Sequence, residues 1–204
     1  MVTVIDYHMG NIGSIANMIA KVGGKATITS DPSVLRDARK LILPGVGHFD
    51  RGMANLESLG LAPVLAEMVM ARQVPVMGIC LGMQLMCGSS DEGQRPGLGW
   101  VDAEVKAFDA VAHPELKVPH MGWNEAKPVR ASALFDLEPT EPQRFYFVHG
   151  YYVECRDPAD VLTSTRHGDV FCSSFLRGNM VGVQFHPEKS HAFGMELFRR
   201  FLEI

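Results

Sequence analysis

Val74-Pro75-Val76-Met77-Gly78-Ile79-Cys80-Leu81-Gly82 is the stretch of sequence that decides the fold. Its apolar first part predicts a buried strand over residues 74–79, and the residues after Cys80 predict a helix. The glycines on either side of the cysteine allow a sharp turn between the two, as in a nucleophile elbow. A thiol at such a turn points away from the core and faces the positive end of the following helix, which favours the thiolate. The stretch therefore predicts a reactive cysteine.

Short apolar runs alternate with helical patterns around this stretch, which predicts an α/β fold with a largely parallel sheet. The other predicted strands are residues 2–7, 26–29, 40–43, 100–108, 145–153, 161–166, 170–177 and 180–185. The predicted helices are residues 12–22, 61–71 and 190–202, with a turn or short helix starting at Asp31-Pro32. Residues 109–124 are predicted to be irregular, and the middle third to form a small β extension. We expect residues 1–204 to form a single domain.

Charge and cysteine usage exclude several classes of protein. The chain has 204 residues, of which 47% are hydrophobic, and a formal net charge of −4. Without a basic block, neither nucleic acid nor an anionic membrane is an expected partner. Cys80, Cys87, Cys155 and Cys172 have neither disulfide-framework nor metal spacing, so we expect free thiols, no metal and no cofactor. No signal peptide or membrane span is predicted, so we expect a cytoplasmic protein.

Three loops are predicted to meet at one edge of the sheet: residues 44–47, 80–82 and 186–188. In open α/β sheets the active site lies beyond the carboxyl ends of the strands. His186 precedes a proline and favours extended backbone, so Glu188 points to the same side as the imidazole. The acid can then hold one ring nitrogen and leave the other for the sulfur of Cys80. The pattern predicts a nucleophile, a base and an orienting acid.

Backbone amides are the predicted donors to an oxyanion in this site. The Leu81 amide opens a helix and lacks an intrahelical partner, and the turn at Val46 and Gly47 can bring a second N–H group. Each motif alone has an ordinary structural explanation, as a buried thiol, a histidine before proline or a glycine-rich turn. Together these residues indicate a cysteine hydrolase or transferase.

Two motifs connect the chain to a known family. Gly78-Ile79-Cys80-Leu81-Gly82-Met83-Gln84 and Gln184-Phe185-His186-Pro187-Glu188 together resemble the class I (triad) glutamine amidotransferases. The resemblance narrows to the glutaminase subunits of imidazole glycerol phosphate synthase through Asp6-Tyr7, Gly10-Asn11, Leu43-Pro44-Gly45-Val46-Gly47, Pro119-His120-Met121-Gly122-Trp123-Asn124, Phe145-Tyr146-Phe147-Val148-His149 and His186–Ser190. It implies a flavodoxin-like three-layer fold, with a mostly parallel central sheet, helices on both faces and a small antiparallel extension.

The resemblance also implies roles for individual residues. Cys80 attacks the side-chain amide of glutamine, His186 protonates the departing ammonia and then activates water, and Glu188 holds His186. The implied substrate-binding residues are Gly47, Gln84, His149 and Tyr151. The implied positions near a partner interface are Tyr7, Gly10, Asn11, Trp123 and Lys189.

The implied partner is a HisF-type (β/α)₈ cyclase subunit that forms a heterodimer with this chain. It receives the ammonia and converts PRFAR to imidazole glycerol phosphate and AICAR in histidine biosynthesis. Segments 100–104 and 190–195 look more like a paralogous branch that supplies ammonia for amidation of a cell-surface sugar. Gly150 also departs from the family, which usually has serine or threonine there. The remaining alternatives are a cysteine peptidase or thiol chaperone of the same architecture, and a non-catalytic partner-binding subunit.

Overall fold

Strands and helices alternate through the first half of the chain, as the hydrophobic pattern predicts. The computed structural model describes residues 1–109 and 111–204. The strands are β1 (Val2–Ile5), β2 (Ala26–Thr29), β3 (Leu41–Leu43), β4 (Val76–Ile79), β5 (Ser89–Ser90), β6 (Ala103–Ala107), β7 (His120–Glu125), β8 (Lys127–Pro128), β9 (Arg144–His149), β10 (Tyr151–Cys155), β11 (Val161–His167), β12 (Asp169–Arg177) and β13 (Met180–Val183). The α-helices are α1 (Ile12–Lys21), α2 (Pro32–Leu35), α3 (Phe49–Ser58), α4 (Leu61–Ala66), α5 (Leu81–Leu85) and α6 (His191–Glu203).

The central sheet has a parallel part and an antiparallel part. The order β2-β1-β3-β4-β13 is parallel throughout, and β12, β10 and β6 continue it with antiparallel pairing. Strands β3, β4 and β13 are neighbours, so the loops that follow them leave the same edge of the sheet. The prediction that residues 44–47, 80–82 and 186–188 share an edge is therefore confirmed.

Alternating side chains of the parallel strands fill two hydrophobic layers, one on each face of the sheet. In β4, Val76 packs with α3 and α4, whereas Met77 and Ile79 pack on the opposite face with α1 and α6. Helix α6 contributes Leu197, Phe198 and Phe201 to that second layer. Helices therefore cover both faces of the sheet, which is the three-layer arrangement expected from the sequence.

A small second sheet and one break in a strand depart from the simple sequence pattern. Residues 145–153 were predicted as one strand, but Gly150 separates β9 from β10, and the two strands belong to different sheets. Strand β9 pairs antiparallel with β7, which lies in the segment predicted to be irregular. The predicted antiparallel extension is thus present, and β7 with β9 forms it.

Helix α3 and the two-residue strand β5 are the elements of the first half that the sequence pattern did not predict. The Nδ1 atom of His48 accepts the N–H of Asp50 and caps the helix, and Phe49, Met53 and Leu56 form its buried stripe. The helix predicted over residues 61–71 also differs, because it is α-helical to Ala66 and π-helical over Glu67–Ala71. Across the described residues, every helix is too short or too polar to cross a membrane.

Candidate active site

Cys80 lies at the turn between β4 and α5, in backbone that only a tightly packed surrounding can hold. Its φ angle is +53°, a region that residues with a Cβ rarely adopt. The Cys80 N–H donates to the Val183 carbonyl at 2.8 Å, which ties the turn to β13. A Cβ atom at Gly82 would collide with the Leu43 carbonyl oxygen, and one at Gly78 would collide with Gly82. The glycines that flank the cysteine are therefore required for this elbow.

His186 and Glu188 follow β13, the neighbour of β4. The Nδ1 atom of His186 lies 2.8 Å from Glu188 Oε1, and the two side chains are 2% and 3% exposed. His186 is extended, as predicted, while Glu188 lies in a 3₁₀ turn over Pro187–Lys189. The His186 N–H donates to the Tyr146 carbonyl at 2.9 Å, so β9 also fixes the position of the histidine.

The surroundings of His186 favour its protonated form. Burial by itself lowers the pKa of this imidazole, but the nearby Cys80 sulfur and the Glu188 carboxylate outweigh burial and raise the pKa to about 10. Among the described residues, His186 Nε2 and Glu188 Oε2 are buried atoms without a hydrogen-bond partner. The second ring nitrogen is thus available for proton transfer beside the sulfur.

The loop 44–47 lies against the N-terminus of α5. The Leu81 N–H donates to the Gly45 carbonyl at 3.3 Å, and the Tyr7 hydroxyl donates to the Pro44 carbonyl at 2.5 Å. The Leu81 amide therefore faces a loop carbonyl, and an oxyanion would have to compete with Gly45 for it. The oxyanion role of Leu81, Val46 and Gly47 stays a prediction.

A pocket of about 410 Å³ opens at Cys80. It brings the predicted oxyanion and substrate-binding residues together, with Glu92 and a few neighbours that the sequence pattern did not single out. The residues that line the pocket are Val46, Gly47, Cys80, Leu81, Gln84, Glu92, Pro119, Val148, His149, Gly150 and Tyr151. A Cβ atom at Gly150 would meet only Val118, at 3.9 Å, so the backbone here has room for the serine usual in the family.

Glu92 is the charged side chain of the pocket that no sequence motif predicted. Its Oε2 atom accepts the Phe49 N–H at 2.8 Å, which fixes the carboxylate at the N-terminus of α3. Nothing in the local sequence marks this residue, because it lies in a polar loop away from the Cys80 motif. The Phe49 N–H that holds Glu92 belongs to helix α3, which the sequence pattern also did not predict.

The predicted interface residues divide into one buried residue and several nearer the surface. Tyr7 is fully buried behind loop 44–47, so its side chain does not reach the surface as an interface residue would. Gly10 is half-buried, while Asn11 is exposed and caps α1. Trp123 is 44% exposed and stacks on His191 at 5.3 Å between ring centroids, and Lys189 is exposed with its Nζ 5.7 Å from the Tyr146 ring.

The family model of the class-I glutamine amidotransferases matches residues 3–204. A solved structure described as a glutamine amidotransferase superposes with a TM-score of 0.76 at 18% identity, over 100% of this chain and 98% of the other. The structure of PurLQS from Thermotoga maritima gives a TM-score of 0.71 at 17% identity, over 99% and 97%. These two likenesses concern the fold. The chain belongs to the class-I glutamine amidotransferase family.

Relatives of higher identity place the chain more narrowly within that family. It is 49% identical to imidazole glycerol phosphate synthase subunit HisH 2 of Methanococcus maripaludis, over 100% of this chain and 99% of that protein. It is 48% identical to the subunit HisH 2 of Pseudomonas aeruginosa, over 100% of both chains. The subunit HisH of Bdellovibrio bacteriovorus is 44% identical, again over 100% of both.

Proposed function

We propose that this chain is the glutaminase subunit of an imidazole glycerol phosphate synthase. It hydrolyses glutamine to glutamate and ammonia, and the ammonia serves a partner subunit. The observation that carries the proposal is the buried His186–Glu188 pair beside an elbow cysteine that opens into a pocket of about 410 Å³. The HisH relatives, similar over the full chain, support the same assignment.

The proposed reaction passes through a thioester on Cys80. The sulfur attacks the side-chain amide carbon of glutamine, and the C–N bond breaks as His186 Nε2 gives its proton to the leaving nitrogen. Ammonia departs, and the glutamyl group remains on the sulfur. His186 then takes a proton from water, the resulting hydroxide attacks the thioester carbon, and glutamate leaves as the thiolate reforms. Glu188 stabilises the imidazolium in the first step and keeps the ring oriented in both.

The pocket supplies groups for the two ends of the substrate. A glutamine molecule carries an α-ammonium and an α-carboxylate at one end and the reacting amide at the other. We assign Glu92 to the ammonium group, because its carboxylate lines the pocket and is fixed in place by the Phe49 N–H at the helix N-terminus. Gln84 and the Gly47 backbone serve the same end of the substrate, and Tyr151 lines the pocket beside them.

The ammonia passes to a HisF-type (β/α)₈ cyclase, with which the chain forms a heterodimer in the cytoplasm. The cyclase converts PRFAR to imidazole glycerol phosphate and AICAR. The surface near the site offers exposed apolar and basic groups for docking, among them Trp123 and Lys189. In this proposal residues 1–204 act as one domain.

Replacement of the nucleophile tests the proposed function. In the complex with the cyclase, Cys80→Ser abolishes synthesis from glutamine but leaves synthesis from added ammonia at the wild-type rate. Cys155→Ser, which changes a half-buried thiol outside the pocket, is the matched control and keeps both activities. Loss of both activities in Cys80→Ser would contradict the division of labour. Transfer of the ammonia to a sugar acceptor instead of PRFAR would contradict the assigned pathway.

A further inference from the structure

A chain of hydrogen bonds runs from the small sheet to the wall of the pocket. His120 and His149 are directly opposite in the β7–β9 register, and both are buried. The Nδ1 atom of His120 lies 2.9 Å from His149 Nε2, and His149 Nδ1 lies 2.8 Å from the Tyr151 carbonyl oxygen. At the other end, Asn124 Nδ2 lies 3.1 Å from His120 Nε2. None of these side chains belongs to the Cys80–His186–Glu188 set.

The chemistry of the end groups fixes which atom donates in each of these hydrogen bonds. The Tyr151 carbonyl can only accept, so the proton of His149 sits on Nδ1 and its Nε2 is an acceptor. His120 must then donate from Nδ1, which leaves its Nε2 to accept from the Asn124 amide. Burial lowers the pKa of His149 to about 3 and that of His120 to about 4, so both rings are neutral at pH 7.

The same carbonyl connects the histidines to the catalytic cysteine. Gln84 Nε2 donates to the Tyr151 carbonyl at 3.0 Å and to Gln184 Oε1 at 3.1 Å. The Nε2 atom of Gln184 in turn lies 3.7 Å from Cys80 Sγ. Both ring nitrogens of His149 are used within the protein, so this residue lines the pocket without a free nitrogen for the substrate.

We propose that His149 is a positioning residue for glutamine hydrolysis, held in one tautomer by the Tyr151 carbonyl and in one orientation by His120 and Asn124. We call the hydrogen-bonded series of Asn124, His120, His149 and the Tyr151 carbonyl the relay. Because the Tyr151 carbonyl also accepts from Gln84, the relay fixes the position of the Gln84 amide in the pocket wall. The inference rests on the proposed function. A wall of fixed position binds the substrate and the transition state alike, so loss of the relay raises KM more than it lowers kcat.

Stacking is the competing explanation for the buried His120 ring. It lies 4.7 Å from the ring centroid of Phe147 and 4.1 Å from that of His167. The pair His120→Asn and His120→Leu separates the two explanations, because both variants lose the ring and have similar size. Only asparagine retains an N–H group near the position of Nδ1.

Steady-state kinetics in the complex with the cyclase give the first test. We expect His120→Leu to raise KM for glutamine about tenfold and to leave kcat within about twofold, since His149 loses the one hydrogen bond to its Nε2 atom. His120→Asn stays within about threefold of the wild type in both. An equal rise of KM in the two variants would overturn the relay and show that the His120 ring acts only through packing.

The ring tautomer of His149 gives a second test that needs no turnover. In the wild-type chain, ¹⁵N chemical shifts of its imidazole show a proton on Nδ1 and none on Nε2 at pH 7, and His120→Leu shifts the Nε2 resonance because that nitrogen loses its hydrogen-bond donor. A proton on Nε2 in the wild type would overturn the relay. If the wild-type complex makes no glutamate, the proposed function fails and the positioning role with it. If the wild type is active and the two variants lose activity equally, the relay alone fails.

Discussion

At the scale of a single residue, the strained backbone of Cys80 determines where its sulfur lies. A residue with a Cβ at φ +53° stores roughly 1–3 kcal/mol of backbone strain. The hydrogen bond from its N–H to Val183 and the close approach of Gly78 and Gly82 keep it in this conformation. The strained turn holds the sulfur at the pocket, beside an imidazole whose pKa is about 10.

Glu188→Gln tests the role of the acid at the same scale. The amide keeps the shape of the side chain but removes the charge that raises the pKa of His186. We expect the glutamine-dependent rate of the complex to fall roughly 10²–10⁴-fold, while the ammonia-dependent rate is unchanged. An NMR titration of the imidazole should show a lower pKa than in the wild type.

The matched control for this prediction is Glu138→Gln, which changes an exposed carboxylate away from the pocket. It should leave both rates and the titration of His186 unchanged. Wild-type turnover in Glu188→Gln would show that the carboxylate does not orient the base.

Individual residues of the site differ in how far the sequence could predict them. Cys80, His186 and Glu188 stand in short motifs whose local geometry follows from neighbouring glycines and a proline. Glu92 and His120 have no such local signal, because each acts through contacts with chain segments far away in sequence. Those contacts exist only after the strands have been paired.

At the scale of elements, hydrophobic periodicity predicted the parallel strands well and failed at β7. In that strand the buried residue His120 is polar, while Met121 and Trp123 are exposed. The usual alternation is inverted, so the apolar side chains indicate the wrong face. Helix α3 did carry a readable signal in the spacing of Phe49, Met53 and Leu56, which the glycine at position 52 weakens as a helix pattern.

Lys40 gives a prediction about a single element, the C-terminal helix α6. Its ammonium is largely buried and donates to the Phe201, Leu202 and Ile204 carbonyl oxygens at 2.8, 2.8 and 2.5 Å. The Phe201 and Leu202 carbonyls lie in the last turn of α6, where carbonyls lack intrahelical partners. We expect Lys40→Met to lower the free energy of unfolding by about 1–3 kcal/mol in urea denaturation.

Lys25→Met is the control for α6, since Lys25 is exposed and makes no side-chain hydrogen bond among the described residues. It should change the free energy of unfolding by less than about 0.5 kcal/mol. Equal stability of the two variants would mean that the lysine does not hold the end of the helix.

For the whole molecule, the histidines predict how stability depends on pH. His120 and His149 have depressed pKa values, so the stability they contribute is present above about pH 6.5 and is lost as pH falls toward 4 and 3. His186 has a raised pKa, so its contribution is full below about pH 6.5 and is lost as pH rises through about 10. We expect the Tm to be highest near neutral pH and to fall on both sides.

Two variants identify which histidines cause the fall of Tm at high pH and at low pH. His186→Gln should flatten the fall of Tm between about pH 7 and 10, and His120→Leu should flatten part of the fall below about pH 6.5. Thermal unfolding in a series of buffers measures both. If the Tm of the variants falls with pH as steeply as that of the wild type, other groups govern the pH dependence.

The central claim is that glutamine is hydrolysed through a covalent intermediate on Cys80. Acid quenching of the complex during turnover, followed by peptide mass spectrometry, tests it most directly. We predict a glutamyl adduct on the peptide that carries Cys80 and none on Cys87, Cys155 or Cys172. Glutamate production with no adduct on Cys80, or with the adduct on another cysteine, would contradict the account.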